Sequence, residues 1–263
     1  MRKEWAGLLQ AGFPLAGLLI AVALWYARDR GVPLEAAGLL LPAFFTEALL
    51  YVLAGLPAFR EQLQRLAPAS LALLLTATAP LSYLLIAAGP GAIHGTALLT
   101  IVALAGLAAF WYVIVPRRLP FDLAFLGVMA APVLLHTFDA LYPDPARRIP
   151  GQVLGILMWY RTGLISVLCI RRMDGIGFGF LPLRREWIIG VRNYFWFAPP
   201  ALLLALATGF IRTRDVAFDL RFVMLTLLTF AGVLWVLAVA EEFFFRGLLQ
   251  QQLAKLFRSD LAG

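Results

Sequence analysis

The chain has 263 residues, of which 62% are hydrophobic and 14% are charged, with a net charge of +7 at pH 7 and a mean hydropathy of +0.86. A soluble globular domain carries about 25% charged residues, so this composition excludes an ordinary soluble protein. It is typical of a polytopic helical membrane protein. Most basic residues lie between apolar runs, as they do in loops at a membrane surface. The expected partner is therefore the lipid bilayer and not nucleic acid.

The apolar runs predict an all-α fold with eight transmembrane helices, because about 20 apolar residues cross a bilayer. Their predicted limits are 5–27, 36–57, 69–88, 96–115, 121–141, 151–171, 194–211 and 221–245. The first run has no clear small-residue cleavage site, so we interpret it as an uncleaved signal-anchor helix. The segment 174–192 is interpreted as a glycine-rich loop and an interfacial helix, with Trp187 and Arg192 at headgroup level.

The basic residues of the loops predict the orientation of the chain. With a cytoplasmic amino terminus, 13 basic residues fall on the cytoplasmic side and 7 on the opposite side. The cytoplasmic set is Arg2, Lys3, Arg60, Arg65, Arg117, Arg118, Arg171, Arg172, Arg184, Arg185, Arg192, Lys255 and Arg258. The opposite set is Arg28, Arg30, Arg147, Arg148, Arg212, Arg214 and Arg221. Both termini are therefore expected in the cytoplasm. The Arg-, Ala- and Leu-rich, Lys-poor composition fits a multi-pass protein of a bacterial inner membrane.

Two charged residues fall near the middle of predicted spans. Glu47 lies in the second span and Arg161 in the sixth, at matched depth. A buried ion pair is one arrangement that the matched depth allows, because charges inside a membrane are usually paired. The functional interpretation is one wall of an internal polar cavity, to which Gln152, Trp159 and Tyr160 would contribute. The structural interpretation is an ion pair, or an acid that stays neutral. The sequence leaves both interpretations open.

The remaining metal-binding residue types are few. His136 and Asp139 are spaced i, i+3 near the end of the fifth span, a pair that can bind metal or relay protons. Two ligands on one helix do not make a metal site, so a structural or interfacial role is expected. His94 is expected in a solvated loop. Cys169 is the single cysteine, which excludes a disulfide within the chain, and a small buried hydrophobe is the expected role.

The most informative stretch is Ala240-Glu241-Glu242-Phe243-Phe244-Phe245-Arg246-Gly247-Leu248-Leu249-Gln250, at the end of the eighth span. Charges at membrane depth cost roughly 2.5–3.5 kcal/mol each, so three of them close together require an explanation. Glu242 and Arg246 are spaced i, i+4 and share a helix face, whereas Glu241 lies about 100° around the helix. The spacing predicts one acid paired with the arginine and one free acid. A free carboxylate in a low-dielectric pocket suits a general base.

The pattern Glu-Glu-x-x-x-Arg, followed by Gly-Leu-Leu-Gln on an apolar helix, resembles the first motif of the CPBP family. This family contains the CAAX-type prenyl-protein endopeptidases and the bacteriocin-processing and immunity (Abi) proteins. The resemblance implies an intramembrane endopeptidase acting on a membrane-associated peptide or protein substrate. It implies that Glu241 activates the attacking water and that Glu242 pairs with Arg246 to fix the helix geometry. It leaves open whether a divalent metal such as Zn²⁺ assists, so no cofactor or metal ligand is assigned.

The later motifs of the family are absent. These are Phe-x-x-x-His and then His-x-x-x-Asn or His-x-x-x-Asp, and neither His94 nor His136 matches them. We therefore expect 1–150 to hold five N-terminal spans and 151–263 to be the N-terminal part of a CPBP-like core. That core is expected to be truncated at its C-terminus, and the chain to be inactive alone. The alternative is a non-enzymatic membrane scaffold or small transporter whose intramembrane charges line a pathway.

Overall fold

The computed structural model describes residues 20–88, 93–142, 151–173, 184–211 and 218–257, together with Gly17. All regular structure within these ranges is helical, which confirms that the fold is all-α. The chain divides into two compact units. The first contains residues 1–175 and 248–263, and the second contains residues 176–247.

The first unit is a bundle of consecutive helices. They are α1 (20–29), α2 (Leu34–Ala54), α3 (Pro57–Gln64), α4 (Pro68–Thr78), α5 (Leu81–Ala87), α6 (Gly95–Ile114), α7 (Leu119–Leu134), α8 (Thr137–Leu141) and α9 (Gln152–Ile165). A wider, π-helical segment, Ser166–Arg171, continues α9.

The second unit is built from longer helical stretches. They are α10 (Arg184–Ala207), α11 (Leu220–Gly232), a π-helical segment (Val233–Ala238), α12 (Val239–Glu242) and a second π-helical segment (Phe243–Gln250). The second unit ends at Gly247, within this last segment, and the segment continues without a break into α13 (Gln251–Phe257) of the first unit.

Among the described residues, five helical stretches are long and apolar enough to cross a membrane: Leu34–Ala54, Pro68–Ala87, Gly95–Ile114, Gln152–Arg171 and Arg184–Ala207. Two further apolar helices, α7 and α11, are shorter. The prediction of several membrane-spanning helices is thus supported, whereas the number eight and the orientation of the termini stay predictions. Most of the first predicted span lies outside the described residues.

Two predicted boundaries were wrong. The fifth predicted span, 121–141, is not one helix, because His136 adopts a left-handed conformation (φ 52°) that separates α7 from α8. Trp187 and Arg192 do not lie in a separate interfacial helix. Both belong to α10, which begins at Arg184, ten residues before the predicted start of the seventh span. The glycine-rich loop predicted before them lies largely outside the described residues.

The core of the first unit is the stretch from α9 to the end of its π-helical continuation. Within it, 89% of the most apolar window is buried, against 29–44% for the spans α2, α4–α5 and α6. The indole of Trp159 donates its Nε1 hydrogen to the carbonyl of Met129 at 2.7 Å, so this aromatic is a bundle contact. A charged side chain on a helix this deeply buried does not reach solvent, so its partner must lie inside the bundle.

Proline interrupts the span formed by α4 and α5. The helix ends at Thr78 and resumes at Leu81, and Pro80 between them has no N–H to donate to a preceding carbonyl. Irregular backbone at membrane depth is tolerated only where other protein groups satisfy it. This interruption lies next to the buried charges described below.

Candidate functional site

The glutamate motif lies on α12 and the π-helical segment that follows. Arg246 Nε lies 3.0 Å from Glu242 Oε2, and the two side chains are 74% and 55% exposed, respectively. This contact confirms the pairing predicted from the i, i+4 spacing. Glu241 is exposed, and within the described part of the chain it makes no ion pair. The low-dielectric pocket expected around Glu241 stays a prediction.

The backbone of the motif places its side chains on two faces. Phe243 and Phe244 are buried and their rings meet edge to face, with centroids 5.1 Å apart. Glu241, Phe245 and Arg246 are exposed. The π-helical turns of Phe243–Gln250 are wider than those of an α-helix, and such segments occur frequently at functional sites. The helix thus buries two aromatic rings on one face and exposes its charged side chains on another.

A second charged site lies inside the first unit. Arg161 Nε donates to Glu47 Oε1 at 2.7 Å, and the two side chains are 2% and 0% exposed. Glu47 comes from α2 and Arg161 from α9, 114 residues later. The ion pair predicted from matched depth is therefore confirmed. Sequence reasoning found it because two opposite charges stood alone in long apolar runs.

The other donors of the Arg161 guanidinium bind the interrupted span. Its Nη1 donates to the hydroxyl of Thr78 at 3.2 Å, and its Nη2 lies 3.5 Å from the Thr78 carbonyl. Arg161 therefore gives only one nitrogen to Glu47 and spreads the others over the end of α4. As a result, the second carboxylate oxygen of Glu47, Oε2, has no hydrogen-bond donor among the described residues.

Hydroxyl groups surround the same region. Ser82 on α5 lies beside the Glu47 carboxylate without meeting the geometry of a hydrogen bond to Oε2. Its Oγ lies 3.4 Å from the hydroxyl of Tyr142, and both groups are buried. The Tyr142 ring meets Tyr83 edge to face at 5.8 Å. The Tyr83 hydroxyl is in turn bonded to the backbone N–H and carbonyl of His94. The ion pair of Glu47 and Arg161 is therefore one part of a larger polar cluster.

A third buried charge was missed by sequence reasoning. Asp122, in the first turn of α7, is 0% exposed and receives two hydrogen bonds of 3.2 Å from Arg171. Gln252 of α13 adds a third, Nε2 to Oδ2, at 2.9 Å. A signal existed, since Asp122 and Arg171 stand at the ends of neighbouring predicted spans. Gln252 offered none, because an uncharged residue in a polar helix predicts no particular contact.

The other candidates from the sequence were two histidines, an aspartate and a cysteine. His136 Nδ1 lies 3.5 Å from Asp139 Oδ2, and both side chains are exposed. No group of three or more potential metal ligands occurs in the part of the chain that the structure describes. His94 is exposed and directly precedes α6. Cys169 is buried at 2% exposure, as expected for a small hydrophobe.

Comparisons of the chain with protein-family models, with curated proteins and with solved structures find no match. The resemblance to the CPBP motif therefore rests on the residues themselves.

Proposed function

We propose that the chain carries the glutamate-bearing part of a CPBP-like intramembrane endopeptidase. The observation that supports this function is that, within the described residues, only one of the two adjacent acids forms an ion pair. Glu242 is held by Arg246 at 3.0 Å, while Glu241, one residue earlier, makes no ion pair within the described residues. One acid is thereby neutralised by a neighbouring cation, and the other keeps a carboxylate that can accept a proton. A general base requires this second condition.

In the proposed reaction, Glu241 takes a proton from a water molecule as the water oxygen attacks the carbonyl carbon of the substrate peptide bond. The carbon–nitrogen bond then breaks, and the proton passes from Glu241 to the departing amine. Glu242 and Arg246 hold the helix that carries Glu241 and take no part in the proton transfer. The substrate class is a membrane-associated peptide or protein.

The test is a cleavage assay in membranes containing the protein expressed from its complete reading frame. The reporters are membrane-anchored peptides, including leader-peptide fusions, and mass spectrometry identifies the products. We expect Glu241→Gln to abolish cleavage without reducing the amount of folded protein.

Glu35→Gln is the matched control. Glu35 is exposed in the first turn of α2, so this variant removes one carboxylate of the same kind from the other unit. Its cleavage rate should equal that of the wild type. Cleavage of a natural substrate by Glu241→Gln at the wild-type rate would contradict the assignment of Glu241 as the general base.

A second candidate function is that of a non-enzymatic scaffold or small transporter. The buried pair of Glu47 and Arg161 favours it, since charges inside a membrane bundle often mark a pathway. The two functions give different results in proteoliposomes that contain a library of small solutes. Transport predicts a solute flux that Glu47→Gln alters and Glu241→Gln does not, together with no peptide cleavage by the wild-type protein.

A further inference from the structure

The second carboxylate oxygen of Glu47 requires a partner that the described residues of the bundle do not supply. A carboxylate has about four lone-pair sites, and buried polar atoms are almost always hydrogen-bonded. Oε1 receives Arg161 Nε, but Oε2 has no donor among the described residues, although the side chain is 0% exposed. An oxygen of this kind points to a bound group that donates to it.

The charges around Oε2 determine the charge of the group that can bind there. The guanidinium of Arg161, at 2.7 Å from Oε1, already balances the one negative charge of Glu47. A second cation would repel Arg161 in a low-dielectric interior, and an anion would repel Glu47. The site therefore selects a neutral molecule that carries at least one hydrogen for donation.

The hydroxyls beside Glu47 indicate the size of the bound molecule and the further hydrogen bonds that it makes. Ser82 Oγ and the Tyr142 hydroxyl are 3.4 Å apart, and one hydrogen serves the contact between them. The other hydroxyl hydrogen is then available to a third group, and both oxygens can accept. An internal water typically has two to four polar partners. Oε2 of Glu47 and these two hydroxyls provide that number.

Gly155 accounts for the position of Tyr142 in this site. A Cβ at this position of α9 would lie 2.7 Å from Tyr142 Cε2 and 2.6 Å from Phe138 Cδ1. The absence of a side chain at Gly155 therefore allows the Tyr142 ring to lie directly against α9, the helix that carries Arg161. This close approach places the Tyr142 hydroxyl next to Ser82.

We propose that Glu47 Oε2, Ser82 and Tyr142 form an internal binding site for one water molecule. The water donates to Oε2 and exchanges hydrogen bonds with the two hydroxyls. It completes the hydrogen bonding of Glu47 and thereby maintains the ion pair with Arg161 inside the membrane-spanning bundle. It also links α2 to α5 and to the segment after α8. The residues of the site belong to the first unit, whereas Glu241 and Glu242 of the proposed endopeptidase belong to the second.

Infrared difference spectroscopy on the full chain in lipid nanodiscs tests the site. The spectrum of Tyr142→Phe is subtracted from that of the wild type, and both are recorded in ordinary water, in D2O and in water labelled with ¹⁸O. An O–H stretching band of bound water shifts in both isotopic solvents. A serine or tyrosine hydroxyl shifts only in D2O, because its oxygen does not exchange with solvent.

We expect an ¹⁸O-sensitive band that is present in the wild type and lost in Tyr142→Phe and in Ser82→Ala. Tyr83→Phe is the matched control and should retain the band, since the Tyr83 hydroxyl is bonded to the His94 backbone. The use of two site variants protects the test against one that fails to fold. A band that responds to D2O alone would mean that Ser82 donates directly to Glu47, and it would overturn the proposal. Loss of the band in Tyr83→Phe to the same extent would also overturn it.

Discussion

Gln252 donates a 2.9 Å hydrogen bond to Asp122, a residue 130 positions earlier in the chain, and both side chains are buried. This bond joins α13 to the first turn of α7. α13 is the direct continuation of the helix that carries Glu242 and Arg246. Arg171 binds the same carboxylate, so Asp122 receives a cation and an amide together. Hydrogen bonds to a charged group contribute about 1.5–3 kcal/mol.

The first prediction concerns the attachment of α13. Gln252→Leu removes the donor while Arg171 still neutralises Asp122, so the expected loss of unfolding free energy is about 1–3 kcal/mol. Hydrogen exchange in Gln251–Phe257 should become faster, as measured by mass spectrometry in nanodiscs. Gln250→Leu changes an exposed glutamine two residues away and should leave the exchange unchanged. Equal exchange in both variants would mean that Gln252 does not hold the helix.

The second prediction concerns the buried ion pair. Arg161→Met leaves Glu47 buried without its cation, and breaking a buried pair in this way costs about 3–5 kcal/mol. Replacing both residues, as in Glu47→Leu with Arg161→Met, removes both charges and should cost less than Arg161→Met alone. Unfolding midpoints in mild detergent compare these two variants with the wild type. A double variant less stable than Arg161→Met would show that the charges are not coupled.

The third prediction concerns the close contact at Gly155. Gly155→Ala introduces a Cβ at 2.6 Å from the Phe138 ring and 2.7 Å from the Tyr142 ring, so one of them must move. Overpacking of this kind costs about 1–3 kcal/mol. Gly127→Ala is the control, because a Cβ in this part of α7 meets no atom within 4 Å. That variant should be neutral or slightly stabilising in the same unfolding assay.

The fourth prediction concerns orientation. In a Cys169→Ala background, Arg118→Cys and Asp139→Cys place single thiols at two exposed positions. If both termini are cytoplasmic, a membrane-impermeant maleimide labels Asp139→Cys in intact cells. It labels Arg118→Cys only after the membrane is permeabilised. The reverse pattern would invert the topology derived from the basic residues.

The sequence was sufficient for features that depend on spacing along one segment. The apolar runs predicted several of the membrane-length helices, and the i, i+4 spacing predicted the contact of Glu242 with Arg246. Matched depth was enough to pair Glu47 with Arg161, because an isolated membrane charge has few alternatives.

Contacts that depend on tertiary packing were not predictable in this way. Nothing in the sequence indicates that Arg161 gives one nitrogen to Glu47 and others to Thr78, which depends on where Pro80 interrupts its span. The left-handed conformation of His136 was also missed, since a histidine within an apolar run does not predict a helix break. The contact of Gln252 with Asp122 joins residues whose local patterns are unrelated.

The proposed role of Glu241 is tested most directly by the cleavage rates of two neighbouring variants, Glu241→Gln and Glu242→Gln, measured on one membrane-anchored substrate. Removing a general base lowers the rate by about 10²–10⁴-fold, so we expect this loss in Glu241→Gln. Glu242→Gln removes an exposed helix pair that contributes only about 0.3–0.5 kcal/mol to stability, and we expect the smaller loss of activity there. A wild-type rate in Glu241→Gln, or a greater loss in Glu242→Gln, would contradict the assignment of Glu241 as the base.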